Sequence, residues 1–214
     1  MFISFEGTEG VGKTTLIKSL ADYLQQQGEQ ILLTREPGGT PLAEQIRQLL
    51  LSPQQEAMSE SCELLLIFAA RAQHIAQVIQ PALTAGQWVL SDRFVDASFA
   101  YQGGGRGLNV QTIALLCQQF VPVMPSLTFW LDAPVEIGMQ RAQKRGVLDR
   151  FEQEKLEFFQ RVRASYQSRA NAEPDRFVIL DACQTPAQIL EQAIQAIQAI
   201  QAIQAIQAMK RKAI

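Results

Sequence analysis

Gly7 to Thr14 reads G-x-x-x-x-G-K-T, a spacing that lets one short loop do phosphate chemistry. Gly10 and Gly12 allow backbone N–H groups to close around phosphate oxygens, with Gly7, Thr8, Glu9 and Val11 completing the loop. Lys13 can reach terminal phosphates, the Thr14 hydroxyl suits magnesium, and Thr15 follows at the same helix start. Glu9 breaks the pattern, because a carboxylate in mid-loop repels a triphosphate and must face something else. Further along stand Asp92 and Arg93, an acid able to hold magnesium-bound water beside a guanidinium able to clamp phosphate. Arg141, Lys144, Arg145 and Arg150 then fall within ten positions, with Gly146 breaking the helix between them. Such a cluster is either a solvated face or a lid, about residues 141–152, that brings positive charge to a transferring phosphoryl group.

Other residues could bind whatever accepts the phosphoryl group. In "TREPGGT", Thr34 to Thr40, a proline and two glycines make a rigid turn that fixes Arg35 and Glu36 at a rim. Its bland reading is an ordinary turn with a surface ion pair. Pro41 suits the first turn of a helix that presents Arg47. In "LIFAARAQH", Phe68 and Arg71 are three apart on one helical face, an aromatic ring and a donor fork that could receive a base. A phenylalanine in a helix is more often core. Ser98 and Gln102 recur at i, i+4, and Gly103 to Gly107 suggest a mobile or tightly turned loop around Arg106.

Short β-rich runs near 2–6, 30–34, 88–91, 127–131 and 177–181 must position these groups, and helical patterns separate them. Alternation of this kind predicts a five-stranded parallel sheet with helices on both faces, an α/β fold whose ligands gather at the carboxyl ends of the strands. The phosphate loop, "REPGGT", "DRF" and "LDAP" each follow a strand, so four polar loops share one rim. The 214 residues are enough for one domain with a real core, 47% hydrophobic and 19% charged. A net charge of −2 points away from nucleic acid as the main partner, while 13 Arg against 6 Lys hints at phosphate or carboxylate recognition. Cys62, Cys117 and Cys183 lack metal-ligand spacing and are expected as buried thiols in a reducing cytosol. His74, the one histidine, sits in a helical pattern and is expected to be structural. Met1 leads straight into the first strand with no leader pattern, and no uncharged apolar run approaches membrane-spanning length, so a soluble cytoplasmic protein is expected.

The C-terminus departs from this plan. From Ala193 to Gln207 the triplet Ala-Ile-Gln repeats five times. A helix starting near Thr185–Pro186 could continue through it, but a period of three turns each successive isoleucine by about 300°. Only the first two turns of the repeat can then face one core. The expectation is a single phosphate-loop domain over 1–192 and a low-complexity helical extension over 193–214, closed by the solubilising "MKRK".

Taken in order from residue 2 to about residue 182, "FEGTEGVGKTT", "TREPGGT", "DRF…S…AYQG", "LDAP" and "R-x-x-x-R-G-x-x-DRFE" together resemble the bacterial thymidylate kinase family. "REPGGT" joined to this loop is what makes the resemblance specific. It implies a P-loop nucleoside monophosphate kinase fold with a short lid, a homodimer through helices, and transfer of the ATP γ-phosphoryl group to thymidine 5′-monophosphate with Mg2+. By resemblance, Arg47 and Arg93 hold the acceptor phosphate, and Arg71 reads thymine with Ser98 and Gln102. Tyr101 lies near the sugar C2′, Glu36 and a cis Pro37 belong to the acceptor site, and Arg141 lies on the ATP side. Glu9 then points toward the acceptor near the sugar 3′-hydroxyl, and Arg145 or Arg150 supplies the charge that the loop lacks. Lys13, Arg93, Arg145 and Arg150 are the implied catalytic set, with Thr14 and Asp92 at the metal. One departure stands out: the family's thymine-stacking Phe precedes the base-reading Arg by four residues, where this chain has Ile67, with Phe68 beside it.

An anionic acceptor phosphate needs no general base, so positioning and charge stabilisation would carry the reaction. A kinase for another nucleotide or for a deoxynucleoside is the nearest rival, and a nucleoside acceptor would draft Glu36 or Asp92 as base. Arg47 and Arg93 argue against that, since their charge suits an acceptor that already carries phosphate. A nucleotide-dependent switch using the tail as a docking element leaves the acceptor-side residues without work. No N-K-x-D guanine reader is present.

Overall fold

The computed structural model describes the backbone of residues 1–52, 56–144 and 149–212, and side chains within those stretches as far as residue 203. Five strands form one parallel sheet: β1 (Phe2–Glu6), β2 (Ile31–Arg35), β3 (Trp88–Asp92), β4 (Leu127–Asp132) and β5 (Phe177–Asp181), in the order β2-β3-β1-β4-β5. The expected strands are present with ends within a residue of those read from the sequence. β1 is central and buried along its whole length, which is why "FISFE" reads as nearly continuous apolar sequence. Edge strands β2 and β5 instead leave Leu33 and Ile179 exposed.

Side-chain alternation sorts the strands' residues onto two faces. Ile3, Phe5 and Leu90 pack with α1 (Lys13–Gln26) and the C-terminal helix. Phe2 and Val89 point the other way, with Phe68 of the helix α3 (Glu60–His74). Between these lie α2 (Pro41–Leu51), capped by the Thr40 hydroxyl, and α4 (Gln80–Thr84), which α3 reaches through a π-helical turn at Ile75–Ile79. That continuous helix, Glu60–Thr84, is long and apolar enough to cross a membrane by composition. Half of its most apolar window is buried inside the protein, and it carries buried Glu63, Arg71 and His74, as a core helix does.

After β3 come α5 (Val95–Ser98) and a π-helical segment at Phe99–Gly105, then α6 (Val110–Phe120), α7 (Val135–Gln143) and α8 (Leu156–Ala172). The expected glycine loop is thus ordered helix through Gly105. A Cβ on Gly105 would lie 2.5 Å from the Phe158 ring, so glycine there lets α8 close onto the segment. The cysteine expectation also needs correcting. Cys62 and Cys183 are exposed and Cys117 is partly buried, because each sits at an outer helix or loop position.

The last helix, α9, runs unbroken from Pro186 to Lys212. Thr185 and Gln188 cap its start reciprocally: the Gln188 N–H donates to the Thr185 hydroxyl and the Thr185 N–H to Gln188 Oε1. Isoleucine drift in the repeat is visible in the packing. Ile197 is buried, Ile194 and Ile200 on either side are partly buried against the same core, and Ile203 is 55% exposed. Core contact therefore crosses residue 193 and fades after Ile200.

Candidate active site

The rim formed by the carboxyl ends of β1, β2 and β3 opens onto a cavity of about 640 Å³. Gly10, Gly12, Lys13, Thr14 and Thr15 line one side, with Arg141. Glu36, Pro37, Arg47, Ile67, Arg71, Ser98, Tyr101 and Gln102 line the other, and Glu9, Asp92 and Arg93 lie between. Side chains of Thr8 and Val11 are buried instead, and Gly7 serves through its carbonyl. Arg145 lies outside the described residues, as do Gly146 and the rest of 145–148.

The phosphate loop sits against α7 at two glycines. Gly10 has φ 74°, and a Cβ on it would fall 2.1 Å from the Gly138 carbonyl; a Cβ on Gly138 would fall 2.6 Å from the Glu9 carbonyl. Gly138 is a site residue that sequence reasoning passed over, although a glycine inside a helical pattern usually marks close packing. Lys13 donates to the Gly7 and Thr8 carbonyls at 3.1 and 2.8 Å. Burial, then repulsion from Arg93, lowers its pKa to about 8 against the pull of Asp92, Glu9 and Glu6.

Glu9 faces an arginine. Arg93 Nη2 donates to its Oε1 at 2.7 Å, and the Tyr101 hydroxyl lies 2.8 Å from both carboxylate oxygens. The loop's carboxylate thus turns from the Lys13 side toward the wall carrying Arg93 and Tyr101. Arg93 also donates to the Gly7 carbonyl (2.9 Å), the Tyr101 hydroxyl (3.0 Å) and the Tyr166 hydroxyl (3.2 Å). Its φ of 71° is the one positive value at a non-glycine among the described residues. An unfavourable backbone held by surrounding bonds is characteristic of functional positions.

The "TREPGGT" turn works differently from a surface ion pair. Arg35 pairs outward with Glu44 at 3.0 Å, whereas Glu36 is buried and pairs inward. Arg71 Nε donates to Glu36 Oε2 at 2.6 Å and His74 Nδ1 lies 3.0 Å from Glu36 Oε1, with His74 Nε2 2.6 Å from the Thr34 hydroxyl. His74 is structural, as expected, and its work is to hold this carboxylate. Arg71 additionally donates to the Ser98 hydroxyl and the Phe94 carbonyl. The Glu36–Pro37 bond is cis, and Arg47 donates to the Pro37 carbonyl at 2.8 Å. Burial and then the charge of Arg35 push the Arg47 pKa down. A desolvated cation beside two others, Arg35 and Arg93, makes this corner suited to an anion.

Two expectations change. Phe68 does not line the cavity: it packs in the core with Phe2, Leu64 and Phe94, under the Arg71 guanidinium at 4.8 Å, while Ile67 faces the cavity. Successive residues on a helix point about 100° apart, so only one of the pair can face inward. Arg150 does not line the cavity either. Its Nε donates to the Leu50 carbonyl at 2.7 Å, and its Nη2 lies 2.7 Å from Glu63 Oε2. Glu63, almost fully buried, also accepts from Gln102 Nε2 at 2.8 Å and pairs with Arg106, which pairs with Glu154. Neither Glu63 nor Tyr166 carries a motif, since both act through long-range contacts that no local spacing encodes.

Among known proteins, residues 5–194 match the family model described as "Thymidylate kinase". A thymidylate kinase of Acinetobacter baumannii (strain AYE) is 63% identical over 196 residues, covering 91% of this chain and 98% of that protein. One from Pseudomonas syringae pv. syringae (strain B728a) is 60% identical over 191 residues, covering 88% and 90%. The crystal structure of thymidylate kinase from Ehrlichia chaffeensis superposes with a TM-score of 0.76 at 32% identity, covering 92% of this chain and 98% of that one. A matched span that takes in the phosphate loop, the buried Glu36–Arg71 pair and the arginine-rich stretch 141–150 together leaves one assignment: the chain belongs to the thymidylate kinase family.

Proposed function

We propose that this chain transfers the γ-phosphoryl group of ATP to thymidine 5′-monophosphate, giving ADP and thymidine diphosphate. The observation that carries the reading is the pairing of a phosphate loop with a cationic acceptor corner, Arg47 and Arg93, across one cavity. Bringing donor and acceptor phosphates into line there supplies most of the catalysis, because the nucleophile is already anionic. Gly10, Gly12, Lys13, Thr14 and Thr15 grip the ATP phosphates, with Arg141 at the same end. Lys13 and Arg93 stabilise charge on the group in transit, and Arg145 or Arg150 of the lid completes it. Arg71, Ser98 and Gln102 read the base over Ile67, and Tyr101 stands beside the sugar.

Magnesium fits this site: Thr14 and Asp92 offer a hydroxyl and a carboxylate on the cavity that holds Lys13, the hard oxygen donors that this ion takes. When bound it would neutralise phosphate charge. An anion corner in front of the acceptor argues against a nucleoside acceptor, and the paired Glu36, tied to Arg71 and His74, is poorly available as a base.

The same reading includes a homodimer. Leu42 and Leu49 of α2, Leu65 of α3, and Val110, Leu115 and Phe120 of α6 are all exposed by about half or more on helices that pack in sequence. An apolar face of this kind suits a second copy of the chain. Residues 1–192 would then act as the cytoplasmic kinase unit, with 193–214 taking no part in the chemistry.

The experiment is ADP release with magnesium-ATP against thymidylate, deoxyuridylate, uridylate, cytidylate, adenylate, thymidine and no acceptor. A strong preference for thymidylate with little background hydrolysis is expected. Equal rates with and without acceptor would sink the reading.

A further inference from the structure

Glu6 closes β1 one residue before the phosphate loop and is completely buried, yet nothing in the proposed chemistry uses it. A carboxylate in the middle of a sheet is costly to desolvate and persists where it has partners. Its pKa is pushed up to about 8, by burial first and then by Asp96, against Arg93, the Tyr166 hydroxyl and the Phe94 N–H. The two oxygens divide their work. Oε1 accepts from the Phe94 backbone N–H at 2.8 Å, and Oε2 accepts from the Tyr166 hydroxyl at 2.8 Å. That hydroxyl in turn accepts from Arg93 Nη1.

Both ends of Arg93 therefore lead to the same carboxylate. Its backbone, held at φ 71°, is bracketed by its own N–H on the Phe5 carbonyl at 3.0 Å and by the Phe94 N–H on Glu6. Its guanidinium is steadied through Tyr166, which stacks on Trp130 of β4. We propose that Glu6 is a positioning residue for phosphoryl transfer: one oxygen fixes the left-handed turn at Arg93 and the other, through Tyr166, aims the guanidinium at the acceptor. This rests on the acceptor-phosphate role of Arg93.

Four variants test it: Glu6→Gln, Tyr166→Phe, their double, and Arg93→Ala, each measured for kcat, for KM toward thymidylate and ATP, and for Tm. Glu6→Gln keeps one acceptor for the Phe94 N–H and loses the other, and Tyr166→Phe removes only the relay hydroxyl. Each single variant is expected to lower kcat/KM for thymidylate about tenfold, the scale of one hydrogen bond lost from the path to Arg93, with KM for ATP little changed. The double should be no worse than the worse single, because both act on one path. Loss confined to Tm, or loss falling on ATP as much as on thymidylate, overturns the proposal and makes Glu6 a support of the sheet or the phosphate loop. Should Glu6→Gln fail to fold, Tyr166→Phe decides alone. If Arg93→Ala keeps normal turnover, the role of Arg93 falls and this inference with it; if only Arg93→Ala is impaired, the inference alone falls.

Discussion

The acceptor wall and the lid edge both carry arginines, but they hold them differently. Arg71 and Arg93 are each tied by several bonds to buried or half-buried partners: Glu36, Ser98 and Phe94 for the first, Glu9, Gly7, Tyr101 and Tyr166 for the second. Arg141 is exposed and donates to the Ala182 carbonyl, and Arg150 is held away from the cavity by Leu50 and Glu63. A wall built in advance has its geometry settled before substrate arrives, which is where positioning is cheapest. On the proposed reading, Arg150 would reach the phosphates only after a change of partners, which would couple its charge to closure.

Removing the prebuilt side should do the most damage. Arg93→Ala is expected to lower kcat by about 10³-fold or more, the scale of a transition-state arginine. Lysine at this position should rescue little, because one ammonium cannot replace a fork bonded to four partners. Steady-state ADP release settles both.

On the lid the expectation separates two arginines. Arg145→Ala should cost about 10³-fold in kcat if it is the group that reaches the phosphates. Arg150→Ala should cost far less in rate but about 1–3 kcal/mol in stability, because Glu63 loses a partner while buried. Urea unfolding beside turnover distinguishes them, and the reverse result would reassign the catalytic role to Arg150.

Acidity offers a third lever. Lys13 has a pKa lowered to about 8, so its positive charge is present below that pH and lost as pH rises through it. Bound ATP favours the charged form, so kcat/KM for ATP should fall above about pH 8, by roughly tenfold per unit, while kcat falls later. A kcat/KM profile flat to pH 9.5 would contradict the assignment of that charge to ATP binding.

Two neighbours on α3 sharpen the comparison further. Phe68→Ala empties a core site and should cost about 3–5 kcal/mol in denaturant unfolding. Ile67→Ala should cost less stability and instead raise KM for thymidylate several-fold, in keeping with about 1–3 kcal/mol for apolar contacts in a pocket. The smallest effect on turnover belongs to the tail. Ile197→Ala should lower Tm by several degrees, since about 2–5 kcal/mol of core packing goes with it. Ending the chain after Ala202 should leave both Tm and turnover nearly unchanged.

Much of this was legible in the sequence because it is local. The phosphate loop, the strand-by-strand alternation, the start of the last helix near Thr185–Pro186 and the drift of the Ala-Ile-Gln stripe depend on spacing along a few turns or strands. So does the placement of four polar loops on one rim, which follows from every strand running the same way. The choice between Ile67 and Phe68 was not legible, because both are apolar and a rotation of α3 decides which faces the cavity. Nor was the partner of Glu9, Arg93, which lies 84 residues away. Glu6, Glu63 and Tyr166 likewise find their partners only when distant segments meet. Sequence alone thus determined the sheet, its loops and the glycine-rich turn that opens α1. Tertiary structure decided which charges face one another, because pairing of buried charges depends on distance in space, and helix packing sets that distance where local pattern cannot.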